Sequence, residues 1–134
     1  MARYLLDTNI ASHIIKGDLP SVRQRLAACP IDDVSISVVT EAELRYGVAK
    51  RGYPAGLKQR VHEFLIRVDI LPWTSEVAGT YADLRAQNES VGITLAPLDL
   101  MIAAHAIADG LILVTRDRAF SRVPVKLSVE DWCS

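Results

Sequence analysis

The chain has 134 residues, half of them hydrophobic, which suits one domain with a proper core and gives no sign of a second. Fifteen Lys and Arg balance sixteen Asp and Glu. That excludes a nucleic-acid binder working by bulk positive charge and leaves such a partner only a local basic patch. Cys29 and Cys133 show neither a CxxC pair nor Cys/His ligand spacing, so a reduced cytoplasmic interior is the expected context.

The beginning of the chain lacks the basic flank and apolar stretch of a secretory signal. The longest apolar run, Leu98 to Ala108, is broken by Asp99 and His105, so no membrane span is expected. The first predicted element is a buried strand, Tyr4–Leu6, which stops abruptly at Asp7-Thr8-Asn9. Ile10, Ile14 and Ile15 then mark one face of a short helix from about Asn9 to Ile15. Gly17-Asp18-Leu19-Pro20 breaks it, and a second helix runs from Ser21 to Ala28. Val34–Ser37 alternates as a short strand does. A helix from about Glu41 to Lys50 and another from about Leu57 to Val68 form an αα-hairpin around Gly52-Tyr53-Pro54.

Val68–Leu71 reads as a strand, and Ser75 to Glu89 as an amphipathic helix with Val77, Tyr81, Leu84 and Asn88 in phase. Leu98 to Ala108 is apolar almost all round and reads as a central helix, opened by Pro97 and closed by Asp109-Gly110. Leu111–Thr115 is the clearest strand, a continuous apolar run of the kind covered on both faces. A turn at Arg116–Phe120 and a last strand over Val125–Val129 precede Trp132. This alternation predicts a three-layer α/β/α sandwich with a mainly parallel sheet, residues 1–134 forming one domain.

Four acids stand where such a fold places its chemistry. Asp7 ends the first strand at the rim where open α/β sheets bind ligands, although it could serve only as a helix cap. Asp99 lies in the first turn of the central helix. Dipole stabilisation of under about 1 kcal/mol would account for it at an exposed site, but a sunken carboxylate needs a partner. Asp117 follows the strongest strand and converges on Asp7 if the two strands are parallel; it could also be an ordinary turn residue. Glu43 could close a capping box with Thr40. Glu41 and Glu43 sit roughly 200° apart on a helix. Glu41 therefore faces Arg45 in a solvated pair, and Glu43 faces the open space left by Gly47. His13, His62 and His105 offer no ligand spacing, and His105 reads as a packed, hydrogen-bonded residue. An oxygen-rich acidic cluster suits Mg²⁺ or Mn²⁺ rather than zinc.

These segments together resemble a known family. Leu6-Asp7-Thr8-Asn9 is similar to the opening motif of PIN-domain nucleases, and Ser37 to Gly47 to their second motif, with Glu43 as its acid. Asp99 to Ala106 resembles the third motif and Thr115 to Phe120 the fourth, with Asp117 as its acid. The length and the closing Glu130-Asp131-Trp132-Cys133 resemble the VapC toxins of bacterial VapBC toxin–antitoxin pairs. The resemblance implies a metal-dependent endoribonuclease in which Asp7, Glu43, Asp99 and Asp117 hold Mg²⁺ or Mn²⁺. Thr8, Asn9 and Thr115 would orient ligands or water, and hydrolysis would leave a 5′-phosphate and a 3′-hydroxyl. It further implies a homodimer and a VapB-like antitoxin partner. Arg45, Arg85, Arg116 and Arg118, with Lys50 and Arg51, are the candidates for contact with RNA.

Two rival readings can be named. A phosphoacceptor receiver domain needs an aspartate pair after its first strand and a phosphorylated Asp after a central one. Asp7-Thr8-Asn9 and Val34–Ser37 supply neither. A non-catalytic RNA- or protein-binding module on the same fold predicts no cleavage with any divalent ion.

Overall fold

A computed structural model describes residues 2–133. The strands are β1 (Tyr4–Leu6), β2 (Val34–Ser37), β3 (Asp69–Leu71), β4 (Ile112–Val114) and β5 (Val129–Glu130). The helices are α1 (Thr8–Lys16), α2 (Pro20–Ala28), α3 (Val38–Lys50), α4 (Ala55–Arg67), α5 (Ser75–Ser90) and α6 (Pro97–Asp109). Single 3₁₀ turns occur at Ile31–Asp33 and Arg118–Arg122.

The five strands lie in the order β3-β2-β1-β4-β5, and every adjacent pair is parallel. The sheet grows outward from β1 through β2 and β3, then crosses to β1's other side for β4 and β5. The strand order therefore reverses between β1 and β4, where open α/β sheets leave a crevice at the strands' carboxyl ends. Leu6 lies opposite Val114 in the register, so the residues following each strand emerge side by side.

Alternation along the strands feeds two cores. Leu6 and Val114 face one with Ile10, Ile14, Leu44, Phe64 and Trp132; Leu5 and Leu113 face the other with Leu84, Ile102 and Phe120. The first core lies under α1–α4 and the second under α5 and α6, which gives the expected three layers. Helix ends follow local chemistry. Gly17 and Gly110 close α1 and α6 in the left-handed region at φ 72° and 66°, a conformation that costs glycine little. Among the described residues, no helix is long and apolar enough to cross a membrane.

Two expectations need correction. Helix α3 starts at Val38, not near Glu41, because Ser37 is its cap: Ser37 Oγ accepts a hydrogen bond from Val39 N at 3.1 Å. The expected capping box from Thr40 to Glu43 therefore does not form, and Thr40 is a buried residue inside the helix. The last strand is Val129–Glu130 alone. Val125 and Leu127 pack on the α5–α6 core without pairing in the sheet.

Candidate active site

Asp7 leaves β1 at the point of strand reversal and is 4% exposed. Its backbone N–H donates to Val114 O at 3.0 Å, which holds it against the end of β4. Oδ1 accepts from Ile10 N at 2.8 Å, so Asp7 does cap α1. Oδ2 accepts from the Thr115 hydroxyl at 2.5 Å, a length typical of a charge-assisted bond. The cap uses only one oxygen of the carboxylate, and the other is bonded to Thr115.

Burial is the main force pushing the Asp7 carboxyl above its ordinary pKa. The Thr115 and Ile10 hydrogen bonds oppose it, and the charges of Asp99 and Asp117 add to it. Asp99, half-buried in the first turn of α6, is also raised, first by burial and then by the Asp117 charge. The three aspartates thus feel one another across the crevice, and burial discourages ionisation of both Asp7 and Asp99. Asp117 is exposed. Its Oδ1 accepts from Ala119 N at 2.9 Å, and its own N–H donates to Thr115 Oγ1 at 3.0 Å. Thr115 therefore links the Asp117 turn to the Asp7 carboxylate.

Glu43 lies on α3, across from the start of α1. It lines a neighbouring groove with Thr8 and Gly47. Thr8 Oγ1 lies 3.0 Å from Thr40 Oγ1, which fastens the start of α1 to α3, the helix that carries Glu43. Asn9 is exposed one position further along α1. Among the described residues, no three His, Cys, Asp or Glu side chains are grouped so as to hold a metal ion by themselves. The donors present are carboxylate and hydroxyl oxygens. A hard divalent ion such as Mg²⁺ is held through one or two carboxylates, with waters and substrate phosphate completing its shell. The site fits that open arrangement, and it fits no zinc centre.

The basic candidates scatter. Arg116 and Arg118 are exposed on either side of Asp117. Arg45 pairs with Glu41 at 2.8 Å and lines the outer groove between α3 and α4, and Arg85 pairs with Glu89 at 3.5 Å on α5. Neither is brought to the acids. Sequence reasoning gave Thr40 a capping role in place of its contact with Thr8, and did not place Lys16 and Arg60, which line the Glu43 groove. Nothing local in the sequence flags a contact between Thr8 and Thr40.

His105 is fully buried, as its helix suggested. Nδ1 lies 2.8 Å from Ser37 Oγ, and Nε2 lies 3.3 Å from Asp109 Oδ2. The Asp109 carboxylate beside Nε2 favours the ring proton on that nitrogen, which leaves Nδ1 to accept from the Ser37 hydroxyl. Burial holds this imidazole below its usual pKa, against the pull of Asp109. The neutral ring joins the start of α3 to α6.

The PIN-domain family model matches residues 4–126. The ribonuclease VapC2 of Haemophilus influenzae is 35% identical over 133 residues, covering 98% of this chain and 99% of its own. The chain belongs to the PIN-domain family, among its VapC ribonucleases. A second VapC, the tRNA(fMet)-specific endonuclease of Shigella flexneri, is 38% identical with the same coverage. The DNA-bound VapBC structure from Salmonella typhimurium superposes with a TM-score of 0.92 at 34% identity, spanning 99% of this chain and all of that one. PIN-domain nucleases are generally metal-dependent, and the oxygen-only donors at the strand reversal suit that chemistry.

Proposed function

We propose that residues 1–134 act in the cytoplasm as one Mg²⁺- or Mn²⁺-dependent endoribonuclease domain of a VapC toxin, hydrolysing tRNA. The observation that carries the site is the buried Asp7 carboxylate, raised in pKa beside Asp99 and Asp117 with no cation bonded to it. A divalent cation would relieve that repulsion. Asp7, Asp99, Asp117 and Glu43 would hold it, directly or through water. When bound, Mg²⁺ or Mn²⁺ polarises the scissile phosphate and lowers the pKa of a coordinated water. Thr115 fixes the Asp7 oxygen not used by the α1 cap, and Thr8, tied to Thr40, joins the start of α1 to the helix that carries Glu43. Hydrolysis breaks the P–O3′ bond and leaves a 5′-phosphate and a 3′-hydroxyl.

The tRNA class rests on the Shigella relative. An antitoxin of the VapB type is the proposed protein partner, supported by the likeness to the Salmonella VapBC structure. The chain also offers a surface for it: the outer α3–α4 groove, about 920 Å³, exposes Tyr46 and Ile66 as an apolar patch, a common mark of protein contact. We further expect a homodimer, which sedimentation of the isolated toxin would check.

Purified protein incubated with tRNA should cleave it in Mg²⁺ or Mn²⁺, and not in a chelator or as Asp7→Asn. Equal cleavage in all lanes would remove the metal from the account, and no cleavage with any divalent ion would favour a binding module. Expression in bacteria should slow growth for the wild type and not for Asp7→Asn.

Thr115→Val should lower activity by roughly 10–100-fold, the usual cost of losing a group that orients a ligand. Thr115 also holds the Asp7 pKa down. Without the hydroxyl the Asp7 carboxyl rises further, so the acid limb of the pH–activity profile should move to higher pH. A profile that only falls in height, with its acid limb unmoved, would contradict that role.

A further inference from the structure

The groove that contains Glu43 extends away from the aspartates between α1, α3 and α4, with a volume of about 220 Å³. Four cations line it: Lys16 at the end of α1, Lys50 and Arg51 at the end of α3, and Arg60 on α4. All four are exposed, and among the described residues none forms a salt bridge, although Arg25, Arg45 and Arg85 each do. Lys50 lies over the Tyr46 ring at 5.7 Å, a contact that leaves its charge uncompensated. In a chain of net charge −1, this is a concentration of unpaired positive charge with a catalytic-site acid at one end.

We infer that this groove is a phosphate track, holding the RNA strand on one side of the bond that is cut. The inference rests on the nuclease reading and adds where the strand runs. Glu43 and Arg51 are eight residues apart on one helix, about 12 Å along its axis, so the cations meet phosphates a few nucleotides from the scissile one. Gly47 lies one turn from each, and a Cβ built on it would meet nothing within 4 Å. The floor between acid and cations is therefore open, and a sugar–phosphate backbone can pass over it. Charged grooves of this kind bind single strands by tracking the backbone and not by reading bases.

Binding of a labelled single-stranded RNA by the Asp7→Asn protein, followed across a salt series, tests the track without cleavage. Lys16→Glu with Arg60→Glu should weaken binding by tenfold or more at low salt. The same pair should flatten the log–log salt slope by about 1.4, at roughly 0.7 per lost phosphate contact on a single strand. Lys58→Glu reverses a single cation in the outer groove and should alter affinity less than twofold. Gly47→Leu fills the floor at a helical position where leucine is favoured over glycine. It should weaken RNA binding about tenfold while the melting temperature holds or rises.

Unchanged affinity and slope in the Lys16/Arg60 variant would overturn the track, as would an equal loss in Lys58→Glu, which would mean bulk charge alone. These results separate from the nuclease reading. A protein that binds RNA through this groove but never cuts keeps the track and loses the nuclease. One that cuts normally with both cations reversed keeps the nuclease and loses the track.

Discussion

Asp99→Asn should abolish RNA cleavage, by at least about 10²–10³-fold, and at the same time raise the melting temperature near neutral pH in the absence of divalent ions. The activity loss corresponds to roughly 3–4 kcal/mol of lost charge stabilisation in the transition state. The stability gain follows from the sign of the pKa shift. Burial, with the Asp117 charge behind it, raises the Asp99 carboxyl. The folded protein therefore binds that proton more tightly than the unfolded chain does. The energetic penalty of the charged form is present above the folded pKa and disappears as pH falls below the unfolded one.

Asparagine removes the penalty, so the variant's advantage should be full at neutral pH and shrink to nothing on acidification through the carboxylate range. Millimolar Mg²⁺ or Mn²⁺ should reverse the order. The wild type gains from ligand linkage, about 2.7 kcal/mol at one hundred times the dissociation constant, and the variant gains less. Differential scanning fluorimetry across pH, with and without metal, reads all of this. A variant less stable than wild type at neutral pH without metal would show that Asp99 is structural. Sites that trade stability for activity in this way are a general feature of enzymes.

The second large effect is remote from the chemistry. Trp132→Ala should cost about 3–5 kcal/mol, the usual range for an aromatic truncated in a core, out of a total of about 5–15 kcal/mol for a domain. Trp132 is fully buried, packs edge-on to Tyr4 at 5.2 Å between centroids, and lies under the Arg25 guanidinium at 5.1 Å. Its Nε1–H donates to Glu130 Oε1 at 3.1 Å, and Arg25 donates to the same oxygen at 3.1 Å. One indole thus ties β5, the edge strand, to β1 and to α2. Urea unfolding should show a lower midpoint with an unchanged slope. A loss under about 1 kcal/mol would mean the pocket collapses around the missing ring.

Much of the fold was legible because burial on both sheet faces leaves an apolar run that polar chemistry interrupts sharply. Tyr4–Leu6 and Leu111–Thr115 announced the two strands that flank the crevice, and with them the meeting of Asp7 and Asp117. The start of α3 was not legible. Val38 and Val39 are β-branched and read as a continuation of the strand, while Thr40 and Glu43 imitate a cap that Ser37 in fact provides. The last strand was misplaced because Val125 and Leu127 alternate as a strand does, yet spend that alternation on the α5–α6 core. The basic groove was legible only in part: Lys50 and Arg51 stand among the sequence candidates, whereas Lys16 and Arg60 belong to other helices and only packing brings them there.

The central position of β1 has a consequence for synthesis. The hydrogen bond between Asp7 and Thr115 spans 108 positions, and β1 pairs with β4 across nearly the same separation. At about 5–20 residues per second, the opening strand is made roughly 5–20 seconds before its neighbour. Until then the Asp7 side chain lacks its Thr115 partner and the crevice lacks a wall. A chain of this topology therefore completes the Asp7 end of its crevice late, long after its first strand has been made.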